Sequence, residues 1–279
     1  MQSLEAPPPE ILFRRKIRLV QSARRCWDAR EVVLTVAQRD FIARYKQASL
    51  GVLWAVFTPL ALMFVFTLVF TRVANIDTGG APYSLFAYLG LLPWTFFSTS
   101  VSQGSLSLVN NAQLLNRTAF PREVFPLASV AVALVDMLIA TTVLAVLFIV
   151  TGFAPAPTSL WVPLILIVQI AYAVAVTLAL SAVVVYLRDL RHAIPVLLQL
   201  GLFAVPVAYG LDVIPSSVRL AYCAAIPLAP VIDSYRRTVL YDQAPAWDLL
   251  GIGALSTLLM LIGAYRLFKR LEGGMSDLA

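Results

Sequence analysis

Residues 30–60 read REVVLTVAQRDFIARYKQASLGVLWAVFTPL. Charged residues recur every few positions up to Lys46, and none follows in the rest of the stretch. The first half carries Leu34, Ala37, Phe41, Tyr45 and Ala48 at spacings of three and four, the period of one helix face, with Arg39, Asp40, Lys46 and Gln47 opposite. This pattern predicts an amphipathic helix over 31–49, lying in a membrane interface with its apolar side down. No second apolar segment nearby could give a small soluble domain a core. At Leu50-Gly51 the chain enters a continuous apolar run, long enough to begin crossing a bilayer.

The rest of the chain bears out that transition. Its 279 residues are 60% hydrophobic and 13% charged, where soluble domains carry about 25% charge. The mean hydropathy is +0.83. Backbone amides find no water in lipid, and the period-2 alternation of a membrane barrel is absent, so an all-α integral membrane protein is predicted. Six transmembrane helices are expected over 50–70, 85–106 (interrupted by Pro93), 124–150, 160–187, 194–211 and 249–268, within a transmembrane domain of 50–271 and followed by a tail of 272–279. Residues 1–30 form a basic N-terminal segment. Pro7-Pro8-Pro9 predicts disorder at its start, and 11–30 suit either a surface-lying basic helix or a solvated tail. The arginines at 14, 15, 18, 24 and 25 leave no apolar core for a secretory signal.

Lysine and arginine set the orientation. Seventeen fall before the first span, in the 2–3 and 4–5 loops or at the chain's end, and four (Arg72, Arg219, Arg236, Arg237) on the other side. Both termini are therefore expected in the cytoplasm of a bacterial inner membrane. The net charge of +6 reads as orientation and contact with anionic membrane lipids, with no nucleic acid as partner, because the basic residues sit in short loops beside spans. Arginine outnumbers lysine eighteen to three, which suits a high-GC bacterial genome. Cys26 and Cys223 fall on opposite sides, so no disulfide is implied. The segment 212–247 is too broken by Pro215, Pro227, Pro230 and Pro245 for a span and too apolar for a soluble loop. Two short re-entrant helices packed over the mouth of something fit it best.

Groups that could do chemistry are sparse. The single histidine, His192, cannot build a zinc site with two distant cysteines, so no metal is expected. Asp136 is the one acidic residue deep in a span. It reads either as a proton relay or as an interhelical hydrogen-bonding group. No G-x-x-x-x-G-K motif exists, and none of the three lysines follows a glycine. The chain is not expected to be an enzyme or to bind a cofactor, and a motor for active transport would be another polypeptide. Aromatics cluster in the first two spans. Trp54, Phe57, Tyr88, Trp94 and Phe97 suit lipid-facing bulk, or a path on which the apolar faces of sugars could slide.

Three motifs then carry a resemblance. The first runs from Gln38-Arg39-Asp40 through Arg44-Tyr45-Lys46-Gln47 to Leu50-Gly51, Leu53-Trp54 and Pro59-Leu60. The second comprises Asn110 or Asn111, Leu114-Leu115, Phe120-Pro121-Arg122-Glu123 and Pro126. The third comprises Arg188-Asp189, Arg191-His192, Gln199, Pro206-Val207, Tyr209, Pro215 and Arg236-Arg237. In this order, with six spans, the chain resembles the permease subunit of bacterial ABC-2-type polysaccharide exporters, which move O-antigen, teichoic acid, capsule and related glycans. The resemblance implies a homodimer with two copies of a separate ABC ATPase subunit, which would hold ATP and Mg. It implies an interface helix with Arg39, Asp40, Phe41, Tyr45 and Lys46. It implies coupling to the ATPase through Asn111, Leu115, Arg117, Arg122 and Glu123 in the 110–123 loop, and through Arg188, Asp189 and Arg191. It also implies an external gate over 215–240 with Pro215, Pro227, Tyr235 and Arg236. Where the family often has Asn-Pro in the gate, this chain has Ile226-Pro227. Where the family often has a polar residue before the proline of the fifth span, this chain has Val205-Pro206.

The expected function is ATP-driven export of a polyprenyl-linked polysaccharide, O-antigen-, teichoic-acid- or galactan-like, in cell envelope biogenesis. An ABC-2 permease for a drug or lipid, and a proton-coupled transporter using Asp136, stand as alternatives. On the exporter reading the interface helix is a lever, with Arg39, Asp40 and Lys46 toward the motor and Phe41 and Tyr45 toward lipid or the channel entrance.

Overall fold

The computed structural model describes residue 24, residues 27–46, residue 51 and residues 53–70, 78–115 and 121–273. Most of the basic N-terminal segment with Cys26, the junction at 47–50, Arg72, Arg117 and the tail beyond 273 lie outside the described residues. The described residues form helices and no strand.

The helices are α1 (Arg30–Tyr45), α2 (Leu53–Val69), α3 (Tyr83–Asn110), the single turn α4 (Ala112–Leu115), α5 (Val124–Thr151), α6 (Val162–Tyr186), α7 (Leu190–Ala204), α8 (Ser216–Ala225), α9 (Leu228–Val239) and α10 (Trp247–Leu271). A 3-10 turn, Pro157–Trp161, leads into α6. The long apolar helices that could cross a membrane are α3, α5, α6 with its leading turn, and α10. The 17 residues of α2 reach about 26 Å, close to a hydrocarbon core of about 30 Å. The chain is a multi-pass membrane protein.

α3 is the axis of the fold. It packs against α5, α6, α2 and α9, while α10 lies on the other flank of α6 and α1 lies across α5. Its place follows from its composition. Ser100, Gly104, Ser105 and Ser107 are buried along α3. Small residues let helix backbones approach, and hydroxyls are tolerated where protein rather than lipid surrounds them. Of the most apolar window of α3, 78% is buried, against 22% for the greasier α5. Gly104 shows the closeness of the contact. A Cβ there would stand 2.2 Å from Cγ2 of Thr177 on α6.

Three elements differ from the sequence reading. Pro93 sits inside α3 without interrupting it, because a proline removes only its own bond to the carbonyl one turn earlier and the helices packed around α3 hold its axis. The fifth expected span, 194–211, is helical only over Leu190–Ala204. Pro206 forces the residue before it out of the helical region, and Val205 is extended at φ −89°, ψ 143°. The apolar stripe of α1 departs from the packing face at Leu34, while its Ala37 and Phe41 lie on it. Leu34 is 64% exposed, whereas Val33, Val36, Ala37 and Phe41 pack on Ala128, Ala131 and Val132 of α5. The small alanines on both helices permit that approach, so this face of α1 lies against protein.

The two short helices before the last span are unequal. α9 is buried along nearly its whole length, between α3, α6 and α10. α8 lies on α10 with one face exposed and buries only Cys223.

Candidate functional site

A cleft of about 380 Å³ opens between the end of α1, the first half of α2, the middle of α3 and the first half of α5. It gathers residues that are far apart in the chain: Arg44 and Tyr45, Trp54 and Thr58, Trp94 through Thr99 except Phe97, and Asp136. Arg44 forms an ion pair with Asp136 at 2.6 Å, and the Tyr45 hydroxyl donates to the other carboxylate oxygen at 2.8 Å. Side-chain exposures of 27% and 15% leave this pair largely shielded from solvent. Burial, then the neighbouring carboxylate, pushes the Tyr45 hydroxyl up to about 12, so it stays a donor at neutral pH. Asp136 is thus the receptor of a clasp holding the end of the interface helix to α5.

The expected channel aromatics divide. Trp54 and Trp94 line the cleft. Phe57 is 54% exposed and meets Trp54 edge-on at 5.4 Å. Tyr88 is buried between helices and donates to the Ala140 carbonyl at 2.8 Å. Phe97 is buried and stacked on Tyr172 of α6 at 5.0 Å. The cleft also carries hydroxyls at Thr58, Thr95, Ser98 and Thr99. Aromatic faces, hydroxyls and a mutually neutralised charge pair could hold a polyhydroxylated chain by stacking and hydrogen bonds, with no tight ionic anchor.

At one end of the bundle, Arg39 bonds both Asp40 and Asn111 of the segment after α3, at 2.7 and 2.8 Å. Glu123 is fully buried, and its Oε1 meets Lys269 at 2.5 Å and the Tyr265 hydroxyl at 3.1 Å. Arg122 donates to the Glu272 main-chain carbonyl. Phe41 packs edge-on to Tyr45 at 4.9 Å. Lys46, Arg188, Asp189 and Arg191 are exposed. Leu115 ends α4, and Arg117 lies outside the described residues. Lys269, Tyr265, Glu272 and Arg44 were missed as site residues. Arg44 pairs with Asp136, and Lys269 and Tyr265 with Glu123, across more than 90 positions, which no local pattern signals.

At the opposite end, Arg236 of α9 is 2% exposed. Its guanidinium donates to the carbonyls of Pro206, Val207 and Tyr209, where the chain leaves α7, and to Phe86 of α3. It also lies 3.6 Å over the Phe86 ring. Non-helical backbone at membrane depth survives only where its polar groups are satisfied by protein, and Arg236 does this for the break after α7. Gly90 makes the contact possible, since a Cβ there would stand 2.5 Å from the guanidinium. Tyr235 donates to the buried Gln169 at 2.7 Å. Pro227 is buried, and Pro215 is the exposed residue before α8.

A family profile described as ABC-2 type transporter matches residues 31–240, from the start of α1 through α9. The chain belongs to the ABC-2 type transporter family. Among its relatives is an "O-antigen export system permease protein RfbA" of Myxococcus xanthus, 31% identical over 244 residues, which covers 87% of this chain and 93% of that protein. Two proteins of the same description from Klebsiella pneumoniae are 30% and 26% identical, covering 74% and 87% of this chain. This ABC-2 permease carries its interface clasp, aromatic cleft and Arg236 contact all within the matched region.

Proposed function

We propose that this chain is the membrane subunit of an ATP-driven exporter of a lipid-linked polysaccharide across the bacterial cytoplasmic membrane. The carrying observation is its similarity, over nearly the full length of both chains, to a permease named for O-antigen export. The cleft supports the same reading. Trp54 and Trp94 beside Thr58, Thr95, Ser98 and Thr99 offer stacking faces and hydroxyls in one cavity, the combination a sugar chain needs. Two copies form the channel, two separate ABC ATPase subunits hold ATP and Mg, and both termini are cytoplasmic. The exposed Arg188, Asp189 and Arg191 and the Arg39–Asp40–Asn111 group meet the ATPase, and α8 and α9 form the outer gate.

Depletion of the chain tests the proposal. Surface polysaccharide should fall while lipid-linked glycan accumulates inside, and an ABC ATPase should co-purify with the wild-type chain. Unchanged surface polysaccharide after depletion would refute it. Asp136→Asn separates the rival proton-driven mechanism, which requires that this change abolish transport and that no ATPase accompany the chain.

A further inference from the structure

The last turn of α10 is where three elements meet. Lys269 is 12% exposed and reaches Glu123, the fully buried residue that opens α5, as well as Glu272 at 2.9 Å. Arg122, beside Glu123, donates to the Glu272 carbonyl, and Tyr186 at the end of α6 donates to the Leu271 carbonyl at 2.6 Å. Beneath these polar contacts, Phe268 is fully buried in a cluster with Leu108, Phe125 and Val185, against which Val36 of α1 packs. One helix end therefore touches Arg122 and Glu123 of the 110–123 segment and the last turn of α6, which leads to Arg188–Arg191, and its Phe268 belongs to the cluster on which Val36 of the interface helix packs.

These are the three elements to which the proposed function assigns contact with the ATPase, and the inference rests on that reading. A carboxylate as buried as Glu123 is costly unless paired. Its Oε1 is held by Lys269 and Tyr265, while Oε2 has no hydrogen-bond partner among the described residues. The pairing is therefore the main compensation for burying this charge, and it spans two elements distant in sequence. We propose that Lys269 is a positioning residue for energy coupling. By clamping Glu123 to the end of α10 it makes the three cytoplasmic elements move as one body when the ATPase closes. Ion-pair and packing networks that join rigid elements are one physical means of carrying coupling between distant sites.

The test uses the full-length chain. Lys269→Met alone strands the Glu123 carboxylate and risks misfolding, so it is paired with Glu123→Gln, which removes that charge. In the complex with the co-purifying ATPase, this double variant should insert normally and hydrolyse ATP, while surface polysaccharide exported per ATP falls about tenfold; Lys269→Arg should stay within about twofold of wild type. Surface polysaccharide is extracted and stained with periodate–Schiff reagent. Independently of any ATPase, spin labels at Gln113→Cys and Arg270→Cys, in a chain with Cys26 and Cys223 changed to Ser, read the clamp in proteoliposomes. Their distance distribution should broaden in the double variant, and to a lesser degree in Glu272→Ala, which removes only the partly exposed arm. A narrow distribution in both variants, or export per ATP at the wild-type ratio, would overturn the inference. Absence of any co-purifying ATPase would strike the proposed function instead, with the spin-label result still deciding whether the clamp exists.

Discussion

Replacing Arg236 should loosen α9 from the break after α7. The guanidinium is the donor to three carbonyls, those of Pro206, Val207 and Tyr209, that receive no backbone N–H among the described residues. The fourth acceptor, Phe86, lies within α3 and keeps its helical bond. Each buried carbonyl left without a donor costs about 1–3 kcal/mol. Three of them sum to several kcal/mol, reduced by the desolvation that a buried guanidinium no longer suffers, so Arg236→Met should lose about 3–5 kcal/mol. Arg236→Lys should lose less, about 1–3 kcal/mol, because a single ammonium cannot face two elements with a planar fork. These losses are large beside the 5–15 kcal/mol of a typical folded chain.

Cys223 gives a local readout. It is a fully buried thiol on α8, packed with Leu211 and Ala229. Burial pushes it from 9.0 up to about 11, and the thiolate is the species that reacts. In a Cys26→Ser background at pH 8, exposing Cys223 should therefore raise its alkylation rate about a hundredfold through ionisation alone, before the gain in access is counted. The expected order is wild type slowest, Arg236→Lys intermediate and Arg236→Met fastest, with a parallel fall in thermal midpoint. If Arg236→Met keeps the wild-type midpoint and leaves Cys223 protected, capture of the carbonyls by Arg236 does not hold the break after α7.

The same thiol predicts a pH dependence. Its proton is bound more tightly when the thiol is buried than when it is exposed, so its contribution to holding α8 in place should be insensitive to pH below about 9 and weaken as pH rises from about 9 to 11; Cys223→Ser should remove that contribution in a hydrogen-exchange measurement on α8. Gly90→Ala should mimic loss of Arg236, costing about 1–3 kcal/mol, because its Cβ would collide with both the guanidinium and the Val207 carbonyl; the thermal midpoint reads this. Gly104→Ala should destabilise the α3–α6 contact, and Thr177→Ser, which deletes the colliding Cγ2, should restore most of the midpoint. For the clasp, a double-mutant cycle between Arg44→Met and Asp136→Leu should give a coupling of about 1–3 kcal/mol, the double variant being more stable than Asp136→Leu alone because no unpaired guanidinium remains.

Hydropathy reports which segments leave water, and it makes the long helices legible because backbone in lipid has little choice but to be helical. It is nearly silent on which side of a helix faces protein, since lipid and a helix neighbour are equally apolar. That is why the stripe through Leu34 could be drawn on α1 although the packing face runs through Val33, Val36 and Ala37. The intramembrane carboxylate at Asp136 stands out in the sequence, yet its partner Arg44 lies 92 positions away among basic residues that all read as orientation signals. Arg236 was counted among the outward-side cations for the same reason, although it is buried and serves backbone carbonyls. The break it serves was signalled locally by Val205-Pro206, but an apolar run that continues through a proline gives no hint that something downstream must satisfy the freed carbonyls. Arg44 and Arg236 are both basic residues whose partners are distant in the chain. In a membrane protein of so few charges, a basic residue near a span should therefore first be asked which buried acceptor it could reach, and only then be counted toward orientation.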